Sequence, residues 1–130
     1  MTEAPPRRVV VADDDADIRA LVAISAKRAG FDVVASVEDG DKAWLAIQEH
    51  VPDLVILDVA MPGMTGLEVC KLVRADARLS ETPVLLLSAA VDEVSRAAGE
   101  AAGAQDYLAK PFSPRALVAW LTNEFSGEND

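Results

Sequence analysis

Short runs of apolar residues alternate along this chain with longer stretches in which apolar residues recur every three or four positions. The runs read as buried strands and the periodic stretches as helices. Arg7 to Ala12 is a first strand, ended by Asp13-Asp14-Asp15. A helix follows, with Asp15 as N-cap and Ile18, Leu21, Val22 and Ser25 on one face, and Gly30 stops it. Phe31 to Val37 is a second strand; Asp39-Gly40 then opens a helix with Ala43, Trp44, Ile47 and Val51 on its face, closed by Pro52. The third strand, Asp53 to Asp58, is rich in β-branched residues and ends in a carboxylate just before Pro62-Gly63 breaks the chain direction. A loop, Val59 to Thr65, leads to a helix from Gly66 to Ala75 with Val69, Cys70 and Val73 inward, and residues 76–82 read as a polar connection. Pro83 starts a fourth strand, Val84 to Leu87, ended by Ser88. The fourth helix, Asp92 to Ala102, is alanine-rich, with Val94, Ala97, Ala98 and Ala101 expected inward. Such a shallow face anchors weakly, which makes this helix the candidate mobile element. Gln105 to Ala109 is a short fifth strand ended by Lys110-Pro111-Phe112, and a last helix runs from Ser113 to Phe125 with Leu117, Trp120 and Leu121 on its face.

Five strand–helix units in strict alternation predict an α/β fold: a parallel sheet with helices on both faces, joined by right-handed crossovers. With strand order 2-1-3-4-5 the architecture would be a flavodoxin-like doubly wound (βα)5 three-layer sandwich. One domain over 7–125 is expected, with a disordered lead at 1–6 and a polar tail at 126–130.

Composition narrows the function classes. With 130 residues, the chain is long enough for one proper core, and 51% hydrophobic with 26% charged residues is ordinary for a globular protein. No apolar run approaches the roughly 20 residues needed to cross a bilayer, and the start lacks a secretion signal. A single cysteine, Cys70, forms no internal disulfide, consistent with a reducing, cytoplasmic setting. A net charge of −10 argues against direct nucleic-acid binding by this domain.

Candidate chemistry gathers at the strand ends. In open parallel sheets, sites form beyond the carboxyl ends of the strands, where the strand order reverses. Strand one ends in Asp13 and Asp14, strand three in Asp58, strand four in Ser88 and strand five in Lys110. Three close carboxylates do not all stay ionised without a cation or large pKa shifts. Mg²⁺ is the natural resident, a hard ion that takes oxygen ligands and completes its shell with water and phosphate. A bound cation leaves Asp58 ionised and able to accept a phosphoryl group as an aspartyl-phosphate. Lys110 and Ser88 supply a positive charge and a hydroxyl donor opposite it.

These signatures resemble the receiver domain of two-component response regulators, over about Arg7 to Phe125. The resemblance rests on Val10-Val11-Ala12-Asp13-Asp14-Asp15, Ile56-Leu57-Asp58-Val59-Ala60-Met61-Pro62-Gly63, Leu86-Leu87-Ser88-Ala89 and Asp106-Tyr107-Leu108-Ala109-Lys110-Pro111-Phe112. Each motif alone is weak; the four in order, at the ends of the right strands, are specific. The resemblance implies that Asp58 accepts a phosphoryl group from the phosphohistidine of a histidine kinase or phosphotransfer protein. It implies that Asp14, Asp58 and the backbone carbonyl of Ala60 bind Mg²⁺ (or Mn²⁺), with Asp13 acting largely through water. Ser88 and Lys110 would hold phosphate oxygens, the Lys110–Pro111 bond would be cis, and Tyr107 would be the switch aromatic moving with Ser88. The face formed by the fourth helix, fifth strand and last helix would pass the signal to a downstream protein or output domain. Arg115 is the only basic residue of the last helix. That argues against an extensively ion-paired homodimer there and leaves dimerisation on phosphorylation through other contacts open.

Two other functions compete. A receiver-like scaffold could bind a partner constitutively, although no member of the expected site is missing. An aspartate-nucleophile phosphatase would want a general acid two residues after its nucleophile, and that position is Ala60. His50 reads as a cation suited to a helix C-terminus, Cys70 as a packed helix residue, and Trp44 and Trp120 as core or partial core.

Overall fold

The computed structural model describes residues 5–90 and 92–126. Five parallel strands, β1 (Arg8–Ala12), β2 (Asp32–Val37), β3 (Leu54–Asp58), β4 (Val84–Ser88) and β5 (Asp106–Ala109), form one sheet in the order β2-β1-β3-β4-β5. Five helices alternate with them: α1 (Ala16–Arg28), α2 (Gly40–His50), α3 (Gly66–Ala75), α4 (Glu93–Ala101) and α5 (Pro114–Ser126). The lead at 1–6 and the tail at 126–130 fall mostly outside the described residues. No described helix is long and apolar enough to cross a membrane.

The continuous apolar runs of the sequence follow from burial on both sheet faces. Successive side chains of a strand point to opposite faces, so each central strand feeds two cores. Val9, Val11, Leu54, Ile56, Leu85 and Leu87 pack with α1 and α5 residues, among them Val22, Leu117 and Leu121. Val10, Val55, Leu57, Val84 and Leu86 pack on the other face with Ala43 and Ile47 of α2, Val69 and Val73 of α3, and Ala102.

The helices begin as their caps dictate. Asp15 accepts from the backbone N–H of Asp17 and Ile18, and Asp39 from that of Lys42. Thr65 and Glu68 form a reciprocal capping box at the start of α3.

Several expectations about packing need correction. Val51 does not continue the face of α2. It leaves the helix in the left-handed region at φ 43° and is 37% exposed, its N–H closing on the Ile47 carbonyl before Pro52. In α4, Val94 points to solvent at 79% exposure, and Ala97 and Ala101 are also exposed. The inward positions are Gly99, in the helix, and Ala102, its C-cap, because hydrophobicity alone could not phase a helix made mostly of alanine. The connection at 76–82 is not wholly polar: a pair of turns folds Leu79 fully into the core.

Two glycines fix the segment that follows Asp58. Gly40 donates its N–H to the Pro62 carbonyl, and a Cβ there would lie 1.8 Å from the Met64 carbonyl oxygen. Gly66 donates to the Val59 carbonyl, and a Cβ there would lie 2.3 Å from the Asp58 carbonyl oxygen. Both clashes are with backbone, which has little room to yield. Gly40→Ala is therefore expected to lose about 3 kcal/mol or more of stability, the upper end of the overpacking range. Urea denaturation measures it, and an unchanged midpoint would show that the loop is not clamped in this way.

Candidate functional site

The carboxyl ends of β1, β3, β4 and β5 carry the site. Backbone hydrogen bonds continue past the ends of the strands and hold its members to the sheet. Asp13 N–H donates to the Val37 carbonyl (3.1 Å), Val59 N–H to Leu87 (2.9 Å) and Lys110 N–H to Ser88 (2.8 Å). The Lys110–Pro111 peptide bond is cis.

Asp13 is fully buried. One of its carboxylate oxygens accepts the Asp15 N–H (3.0 Å), and the other accepts the Lys110 ammonium at 2.8 Å. The Arg19 guanidinium donates to the Asp13 carbonyl (2.8 Å), a contact with no signal in the strand-end pattern. Asp58 is 5% exposed, and its Oδ1 lies 3.3 Å from Lys110 Nζ. The Ala60 N–H also points at Asp58 Oδ1, over a long 3.4 Å. Asp14 is exposed, and carboxylate oxygens of Asp13, Asp14 and Asp58 all lie within 4.8 Å of one another.

Electrostatics follow from this crowding. Burial, then the charge of Asp13, pushes the Asp58 carboxyl up to about 6, against the pull of Lys110. Burial works against the Lys110 ammonium, but its hydrogen bond to Asp13 and the charges of Asp58 and Asp13 outweigh it and raise its pKa. One ammonium faces three carboxylates, so the site remains short of positive charge. Its donor set is entirely oxygen, and two of its three carboxylates are buried. Those properties fit a hard divalent cation such as Mg²⁺ or Mn²⁺.

Ser88 and Tyr107 are joined through a residue that the sequence did not single out for this role. The Ser88 hydroxyl accepts the Ala90 N–H at 3.0 Å, and the Tyr107 hydroxyl donates to the Ala90 carbonyl at 2.5 Å. Ala90 is thus gripped on both sides of its backbone. No side-chain pattern could reveal this, because the groups involved are an amide and a carbonyl. Tyr107 is half-buried, and the Arg96 guanidinium lies 5.3 Å from its ring centroid.

The remaining polar residues serve the scaffold. Arg8 donates to the His50 carbonyl (2.7 Å), so a guanidinium covers the C-terminus of α2 where His50 was expected to supply the cation. Cys70 is buried, its thiol donating to the Ala102 carbonyl (3.3 Å), and burial raises its pKa.

A doubly wound sheet whose switch point holds an acidic cluster beside a lysine defines a class, and comparison with known proteins identifies it. The response regulator receiver domain matches residues 9–122, and the chain belongs to that family. It is a receiver domain of the two-component signalling type. The DNA-binding response regulator MtrA of Mycobacterium tuberculosis is 43% identical over 113 residues, which are 87% of this chain and 48% of that protein. The phosphate regulon transcriptional regulatory protein PhoB of Klebsiella pneumoniae is 42% identical over 113 residues, 87% of this chain and 49% of that one. The chain thus spans about half the length of the curated relatives it matches. Among solved structures, the chemotaxis response regulator CheY4 of Vibrio cholerae superposes with a TM-score of 0.84 at 35% identity, covering 91% of this chain and 98% of that one.

Proposed function

We propose that Asp58 is the phosphoacceptor of a two-component phosphorelay and that residues 7–125 work as one receiver domain. The observation that carries this reading is the nearly buried Asp58 carboxylate at the end of β3, held between Asp13, Asp14 and the Lys110 ammonium. An Asp58 oxygen attacks the phosphorus of a phosphohistidine on a histidine kinase or phosphotransfer protein. The new P–O bond forms as the P–N bond breaks, and the imidazole leaves. Lys110 meets the charge on the transferring oxygens, and Ser88 turns its hydroxyl from the Ala90 N–H toward them. In such a transfer, positioning and neutralisation carry most of the catalysis. Asp14, Asp58 and the Ala60 carbonyl would hold Mg²⁺ or Mn²⁺, with Asp13 acting through water. Bound there, the cation supplies charge neutralisation for the carboxylates and the phosphoryl group.

The chemistry is confined to the domain's own phosphorylation and the later hydrolysis of its aspartyl-phosphate. Ala60 and Ala90 flank that step with small apolar side chains that cannot orient a water by hydrogen bonding. Reorientation of Ser88 releases Ala90, Tyr107 responds, and the α4–β5–α5 face changes population for a cytoplasmic partner or output domain. MtrA is described as DNA-binding. For this chain such an activity would lie in a separate output domain, since a charge of −10 does not suit phosphate contacts.

The test is incubation with Mg²⁺ and acetyl phosphate followed by intact-mass measurement. A gain of one phosphoryl group that is labile to hydroxylamine is expected. A chain that gains no mass from acetyl phosphate or from any phosphorylated kinase would instead be a constitutive scaffold.

A further inference from the structure

Helix α4 contains one glycine among alanines, and that glycine faces the only tyrosine of the chain. Gly99 is the buried residue of this helix. Its φ is not among the positive values, which occur at Gly30, Gly63 and Gly103, so the backbone does not require glycine there. Glycine is also a poorer helix former than alanine, so local propensity argues against it.

Space supplies the reason. A Cβ on Gly99 would stand 2.9 Å from Tyr107 Cδ2 and 3.2 Å from Leu86 Cδ1. Leu86 is fully buried and has no room to retreat. The Tyr107 ring is half-buried on an edge strand and is the group that would swing away. Swinging would break its hydroxyl contact with the Ala90 carbonyl, and with it the link to Ser88.

We propose that Gly99 is a positioning residue: its missing side chain forms the slot that seats Tyr107 against α4 within reach of Ala90. It touches no group of the Asp58 site and acts through Tyr107 alone. The regulatory consequence rests on the phosphoacceptor reading given above, because Tyr107 is taken there as the aromatic that follows phosphorylation. A side chain at 99 would then uncouple α4 from Asp58 while leaving phosphoryl uptake intact.

Fluorotyrosine incorporation labels Tyr107 alone, so the ¹⁹F signal reports one ring. In Gly99→Ala, this signal is expected to shift toward that of a solvent-exposed tyrosine. Its response to acetyl phosphate and Mg²⁺ is expected to fall at least about twofold, with unchanged mass gain. Melting temperatures supply an arm independent of phosphorylation. Gly99→Ala should raise the melting temperature more in a Tyr107→Ala background, where the slot is empty, than in the native chain. An unmoved ¹⁹F signal, or an equal rise in both backgrounds, would overturn the proposal. Failure of the native chain itself to gain mass would reject the phosphoacceptor reading and the regulatory consequence together. The seat would then still be decided by the melting and ¹⁹F data of the unphosphorylated proteins.

Discussion

Asp58→Asn is expected to take up no phosphoryl group from acetyl phosphate and yet to melt above the native chain at pH 7 in EDTA. The loss is chemical: an amide is not the nucleophile that a carboxylate is, and no other carboxylate of the site ends β3. The gain follows from the price of burying a charge. The Asp58 carboxyl rises from 3.8 to about 6 on folding, through burial first and the charge of Asp13 second. Across that window, the folded state keeps a proton that the unfolded chain has released, so the contribution of Asp58 to stability falls as pH rises. A shift of this size corresponds to on the order of 2 to 3 kcal/mol at neutral pH. Asparagine removes the charge at nearly the same volume, and a domain of this size should gain several degrees in melting temperature. The difference between the two proteins should shrink as pH falls below about 6 and be mostly gone near pH 4, because the folded Asp58 takes up its proton across that window. Millimolar Mg²⁺ should stabilise the native chain more than the variant, narrowing or reversing the gap, because the variant replaces one of the three clustered carboxylates with a neutral amide. Differential scanning calorimetry from pH 4 to 8, with and without Mg²⁺, measures all of this. An asparagine variant less stable than the native chain at pH 7 in EDTA would show that Lys110 fully compensates the buried Asp58 charge.

Lys110→Ala is expected to act in the opposite direction on the metal-free protein. Asp13 is fully buried and holds the Lys110 ammonium at 2.8 Å, with Asp58 sharing the same ammonium at 3.3 Å. Removing one partner of a buried pair leaves an uncompensated charge, which costs about 3–5 kcal/mol. Here two carboxylates lose the same cation, so the upper half of that range is expected. A divalent cation should recover much of the loss and should bind more tightly than to the native chain, since the competing ammonium is gone. Phosphoryl transfer should nevertheless slow by about 10²–10³-fold, the usual effect of deleting one preorganised donor at developing charge. Urea denaturation with and without Mg²⁺ tests the first part, and the rate of mass gain from acetyl phosphate tests the second. A variant that phosphorylates at the native rate would remove Lys110 from the chemistry.

Lys110 also shows how far the sequence reaches. The run Leu108-Ala109-Lys110-Pro111 at the end of a short apolar segment places an ammonium at a strand end. The alternation of strands and helices predicts a parallel sheet, and the order β2-β1-β3-β4-β5 that it takes brings this end beside Asp13, 97 residues away in the chain. The element order, the layers and the cluster of Asp13, Asp14, Asp58 and Lys110 were legible for this reason. Each rests on periodicity, chain punctuation and the rule that parallel sheets gather their sites at one edge. Element boundaries differed by a residue or so, as for β2, which starts at Asp32, because helix and strand ends are set by caps and fray.

The parts that were not legible have a common cause. Gly99 and Ala102, the inward positions of α4, could not be told from Ala97 and Ala101 by hydrophobicity, since only packing distinguishes them: Gly99 faces Tyr107 and Leu86, and Ala102 joins the core cluster of Cys70 and Val73. The double grip on Ala90 involves backbone groups, which every residue carries and no sequence pattern marks. The pairing of Arg8 with the His50 carbonyl and the burial of Leu79 likewise depend on chain segments meeting from different units. The sequence by itself determined which chemical groups stand at the mouth of the sheet, because strand ends are written in local residue patterns. Only the tertiary structure decided how those groups connect to α4, because that connection runs through a backbone carbonyl and an absent side chain, and packing alone gives either of them a partner.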